Sequence, residues 1–157
     1  MIEVTVEDKA LQEYLTRLQR RLGNLKPVMR GIATELETRV SKRFETQRDP
    51  NGQPWKAWKP ATAAAYPKNG HKRLLDRYGD MLNSLNSVAT ADTARIGFGA
   101  VGSVAGDVYA VYHEFGTRHM PRRGLLFADP EAGTLGEGDS QALDTLLSDW
   151  LNDAIER

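Results

Sequence analysis

Cysteine is absent from this 157-residue chain, which removes disulfides, thiolate nucleophiles and cysteine-ligated zinc together. No apolar run approaches a membrane span, and the opening MIEVTVEDKA lacks both the basic start and the apolar centre of a secretory signal. The expectation is a soluble protein made and kept in the cytoplasm, with no membrane partner. Net charge of either sign is missing too, since 21 Lys and Arg balance 21 Asp and Glu. A dedicated nucleic-acid-binding domain is usually net basic, so this balance argues against one. Internal repeats and low-complexity tracts are also lacking.

What is present is ordinary globular composition, 40% hydrophobic and 27% charged, which fits one domain over 1–157 with a sizeable core. The charge is unevenly spread. Residues 1–48 hold ten basic and seven acidic groups, whereas residues 129–157 hold eight acidic groups against Arg157 alone. Opposite ends of this kind suit complementary neighbours, including copies of the same chain. A solvated acidic helix face explains the tail equally well.

Hydrophobic spacing predicts an α+β fold: an N-terminal helical pair, a small antiparallel sheet and a C-terminal amphipathic helix. Residues 2–6, IEVTV, alternate like a short strand. Leu11, Tyr14, Leu15, Leu18, Leu22 and Leu25 form one helical stripe, and Val28, Ile32, Leu36, Val40 and Phe44 form a second. Gly23 and Pro27 break the two within 8–47. Ala61–Tyr66 reads as a short helical turn, and 74–82 as a turn or short helix. The segments 84–90 and 94–99 read as a hairpin, 100–106 as a loop, and Val108–Phe115 as a helix stopped by Gly116. The stripe Leu143, Leu146, Leu147, Trp150, Leu151, Ala154 and Ile155 predicts a helix from about Ser140 to Ile155, with Asp139 or Ser140 as its N-cap.

Two segments carry chemistry. Asp107 to Phe127, DVYAVYHEFGTRHMPRRGLLF, combines Tyr109, Tyr112, Phe115 and Phe127 with His113, Glu114, Arg118, His119, Arg122 and Arg123. It is either an active site or a contact surface, since aromatic and Arg side chains anchor interfaces. His113 and His119 lie six apart across a glycine, not at the four-residue spacing that puts two imidazoles on one helical face. A metal-dependent hydrolase around them is therefore the weaker reading, and stoichiometric zinc or manganese in the purified protein would favour it. No nucleophile elbow is present, and GFGAVG at 97–102 lacks the βαβ setting of a nucleotide fingerprint. The sequence thus points away from an enzyme and implies no cofactor.

The second segment, DPNGQPWKAWKP at 49–60, is a loop by its prolines and its Asn-Gly pair, yet it holds Trp55 and Trp58. Those indoles either pin the loop to the core, the more economical reading, or await a partner. Lys56, Lys59, Lys68, Lys72, Arg73 and Arg77 surround them and Tyr66. Basic groups interleaved with aromatics can track single strands, so nucleic-acid binding through residues 55–77 is the first alternative. Solvated loop charges are the competing explanation.

The order of these motifs resembles the phage virion morphogenesis family, the tail-completion proteins of Mu-like and related tailed phages. Arg43, Phe44, Asp49, Pro50, Gly52 and Trp55 fit its first motif, and Leu75, Gly79, Met81 and Ser84 fit its turn. Tyr109, Ala110, His113, Phe115, Gly116, Pro121 and Arg123 fit its last two motifs. The likeness covers roughly residues 42–127. Met81 replaces the usual leucine, and Gly124 stands where a proline often follows the arginine. The YA…EFGT wording is also similar to a second family of phage neck and tail-completion proteins.

The resemblance implies a non-catalytic virion protein that completes the tail and enables head–tail joining. Its setting would be the virion, and the host cytoplasm during assembly. Related neck components form rings, commonly sixfold, so the implied partners are further copies, other tail or neck proteins, and DNA passing nearby in the channel. Trp55, Trp58, Tyr109, Tyr112, Phe115, Arg118, Arg122 and Arg123 are then the expected interface residues. The three arginines would meet carboxylates of the acidic C-terminal helix on an adjacent copy, in planar bidentate pairs.

Overall fold

The computed structural model describes residues 9–99 and 109–156. The strand expected at 2–6 and the loop expected at 100–106 lie outside the described residues. The N-terminal pair forms as its spacing predicts, with α1 at Lys9–Leu22 and α2 at Lys26–Thr46. The Gly23 amide closes α1 on the Gln19 carbonyl at 2.9 Å. Pro27 falls in the first turn of α2, where a missing amide has no intrahelical partner to lose. α2 ends at Gln47, which takes the left-handed conformation at φ 54° and donates its amide to the Arg43 carbonyl at 2.7 Å.

Short elements follow: α3 at Pro60–Ala64, α4 at Asp80–Asn83, the strands β1 at Leu85–Ala89 and β2 at Ala94–Phe98, and α5 at Ala110–Phe115. The strands pair antiparallel, Leu85 opposite Phe98 and Ala89 opposite Ala94. In β1 the odd positions are half-buried and the even ones exposed, so the hairpin lays one face on α2. α6 at Glu137–Glu156 packs against α2 and α1. The architecture is α+β, as the periodicities indicate.

The core gathers Val40 and Phe44 of α2 with Trp55, Leu74, Met81, Ala110 and Leu125. Phe44 meets the Trp55 ring edge-on at 5.6 Å between centroids and the Phe98 ring at 6.1 Å. Edge-to-face geometry of this kind adds about 0.5–1.5 kcal/mol beyond area burial. Trp55 thus pins its loop to the core, and its indole Nε1 donates to the Gly124 carbonyl at 3.0 Å.

One boundary differs from expectation. α6 begins at Glu137, so Asp139 is no N-cap: it lies inside the first turn and is 1% exposed. Its carboxylate accepts from Arg39 Nε at 2.7 Å and from Arg43 Nη2. Arg43, itself buried, also donates Nη1 to the Leu125 carbonyl at 2.5 Å. The glycines before Asp139 suggest a loop, but Gly136 is there for close approach, since a Cβ would collide with the Pro50 carbonyl. At the other end of α6, Arg21 pairs with Asp153 at 2.9 Å and lies 5.2 Å from the Trp150 ring.

Candidate assembly interface and adjoining groove

The site is built around α5. Tyr109 starts it, and Gly116 ends it at φ 75°, where a Cβ would come within 2.9 Å of the Arg122 backbone nitrogen. Only glycine meets both demands. The helix turns Ala110 and Glu114 inward, where both are buried.

Glu114 acts as a clasp. Its Oε2 accepts the backbone amides of Leu125 at 2.7 Å and Leu126 at 2.8 Å, and its Oε1 accepts that of Phe127 at 3.1 Å. Arg122 completes the arrangement, donating Nε to the Glu114 carbonyl at 2.7 Å and Nη2 to the Phe127 carbonyl at 2.6 Å. A carboxylate so engaged satisfies three buried or partly buried amides at once and has little capacity left for a metal or a substrate.

Arg123 ties the same segment to the tryptophan loop. It is 7% exposed and donates Nε to the Lys56 carbonyl at 2.7 Å and Nη2 to the Ala57 carbonyl at 3.1 Å. Its backbone amide reaches the His113 carbonyl at 2.8 Å. Burial lowers its pKa below the usual guanidinium value. Arg122 and Arg123, expected to meet another copy, therefore have their guanidinium groups engaged within their own chain. Arg118 is exposed at the tip of a turn whose Thr117 hydroxyl accepts the amides of His119 and Met120 at 3.2 and 3.1 Å. It makes no ion pair among the described residues.

His113 and His119 do not converge as ligands. Among the described residues no group of three His, Asp or Glu side chains is placed to hold a metal ion. The His113 Nδ1 is buried without a hydrogen-bond partner among the described residues. Burial, with the nearby Arg123 charge, pushes its pKa down to about 4, so the ring is neutral at physiological pH. His119 is exposed.

On the outer side of α5, Val111, Tyr112 and Phe115 are 49%, 43% and 49% exposed. Positions i, i+1 and i+4 fall within about 100° of a helix circumference, so these side chains share one face. Tyr112 and Phe115 were expected at an interface. Val111 was not, because its place on the face opposite Ala110 and Glu114 shows only once the inward residues are known. Tyr109 and Trp58 are half-buried and packed against the core cluster.

Beside α5 a groove of about 930 Å³ runs between the tryptophan loop, α3, residues 75–81 and the turn at 117–121. Trp58 and Tyr66 stack on its wall, centroids 4.4 Å apart and tilted by 31°. The Arg77 guanidinium lies 5.5 Å from the Tyr66 ring. Burial raises the pKa of Tyr66 and of Tyr109 above the usual phenol value.

Comparison with protein-family models matches residues 6–152, nearly the whole chain, to the model described as the phage virion morphogenesis family. No curated protein and no solved structure gives a significant match.

Proposed function

The chain belongs to the phage virion morphogenesis family and has a role in phage assembly, and we propose that this role is to complete the tail and make it competent to join the head. The protein works without catalysis, through contacts between copies and with other tail or neck proteins. The observation that carries this reading is the exposed apolar face of α5. Three large side chains stand outward on a helix whose opposite side is locked down by Glu114, so the face is presented rigidly. Rigid, exposed aromatics are typical interface anchors.

The complementary surface is the outer face of α6. Leu151 and Ile155 are exposed on α6, and the same helix carries the exposed acids Asp144, Asp149 and Glu156. Apolar residues on α5 would meet apolar residues on α6, and Arg118 would meet the flanking acids. Two different patches on one molecule make a heterologous contact, which closes into a ring where the rotation permits. No helix among the described residues is long and apolar enough to cross a membrane.

Light scattering and negative-stain imaging of the purified protein, free and mixed with tails, test the proposal. Self-association or binding to tail ends is expected, with loss of both in the double variant Tyr112→Asp, Phe115→Asp. A phage lacking this chain that still yields joined, infectious particles would overturn the reading.

A further inference from the structure

We propose that the groove beside Trp58 and Tyr66 binds single-stranded nucleic acid, a ligand that the assembly role does not require. Lys56, Lys59, Arg77 and Arg118 line the groove and are all exposed. The lining carboxylates oppose them weakly. Asp76 is buried and bonded to the His71 Nδ1 at 2.8 Å, which leaves Asp80 as the exposed acid. The Tyr66 hydroxyl donates to the Arg73 carbonyl at 3.0 Å, holding the segment with Lys68, Lys72 and Arg73 against the same rim.

The rings decide the class of ligand. Trp58, Tyr66, Tyr78 and Tyr109 all border the groove, together with the cations named above. A run of acidic side chains alone needs the cations but has no use for the rings. A duplex offers phosphates but keeps its base faces stacked inside. An unpaired strand uses both, with phosphates on the cations and bases on the rings. Tyr66 is held by the Trp58 ring at 4.4 Å and by the Arg77 guanidinium at 5.5 Å, which stiffens the platform.

The test is fluorescence anisotropy of a labelled oligo-dT with the full-length protein, against the matching duplex and polyglutamate. Four phosphate contacts give a logarithmic salt slope of about −2.8, or roughly a 50-fold loss of affinity between 50 and 200 mM salt. Lys59→Gln or Arg77→Gln, both at exposed positions, should each flatten the slope by about 0.7. Trp58→Ala should weaken binding by about tenfold at every salt concentration while leaving the slope unchanged. The proposal is overturned if oligo-dT does not bind at 50 mM salt, or if the Gln variants keep the full slope. Binding of the duplex or of polyglutamate at least as tight as that of oligo-dT would overturn it as well, assigning the groove to that ligand instead. The Tyr112→Asp, Phe115→Asp pair should leave oligo-dT binding intact, so failure of the groove and failure of the assembly reading give separate results.

Discussion

Replacing Glu114 by Gln removes one charge and one acceptor from the centre of the clasp while keeping its volume. If the new amide oxygen takes the Oε2 position, the Leu125 and Leu126 amides keep a partner, but a neutral one. Charge-assisted bonds are about twice as strong as neutral ones, so this step costs about 1 kcal/mol for each bond. The amide nitrogen then faces the Phe127 N–H, donor against donor, and leaves a partly buried amide unsatisfied for about 1–3 kcal/mol. The sum is about 3–5 kcal/mol. For a chain of this length that lowers the melting temperature by roughly 6–20 °C. Urea and thermal unfolding measure the loss, and hydrogen exchange locates it, because protection should fall at Leu125, Leu126 and Phe127 before it falls in α2. Glu45→Gln, at an exposed position of α2, is the control and should stay within about 0.5 kcal/mol. A Glu114→Gln loss inside that same range would refute the reasoning.

Asp139→Ala should destabilise by about 3–5 kcal/mol in urea unfolding, because it strands the buried Arg43 guanidinium. Arg39→Ala, at the half-exposed partner, should cost much less. Stability should also respond to pH through His113. Its folded pKa of about 4 lies below the ordinary 6.5, so between these values the unfolded chain binds a proton that the folded chain does not. The His113 contribution is therefore intact above pH 6.5 and is lost as the pH falls to about 4, by up to about 3 kcal/mol. His113→Phe should flatten that part of the profile, and an unchanged slope between pH 6.5 and 4 would show that the imidazole is not buried as described.

The elements with long periodic patterns were legible in the sequence, as were the turns. Both stripes of the N-terminal pair, the break at Gly23–Pro27 and the hairpin around Ala91–Thr93 follow from local spacing and turn chemistry. The start of α6 was not legible. Gly136 and Gly138 look like loop residues, and only the approach of Pro50 and the reach of Arg39 and Arg43 across about a hundred positions make a helical turn there useful. The arginines show a similar limit. RR in an aromatic segment reads as a contact surface, but Arg122 and Arg123 bond to carbonyls that no sequence pattern announces. Glu114 was visible only as one member of the charged cluster, because its partners, eleven to thirteen residues on, are plain amides. Trp55 was readable as a loop anchor, because a buried indole explains an aromatic in a proline-rich loop with least cost, whereas its place among the expected interface residues does not fit a side chain 5% exposed.

The clasp has a consequence for how this protein can drift. Glu114 bonds main-chain atoms of Leu125, Leu126 and Phe127, Arg123 those of Lys56 and Ala57, and Trp55 that of Gly124. A carbonyl survives any replacement of the side chain beside it and an amide any but proline, so these bonds put little demand on the identity of Lys56, Ala57 or Phe127. The locking information sits in a few reaching side chains, and Lys56, Ala57 and Phe127, which lie outside the core cluster, are left open to change. A contact surface can therefore be rewritten for a new partner without loosening the scaffold that presents it.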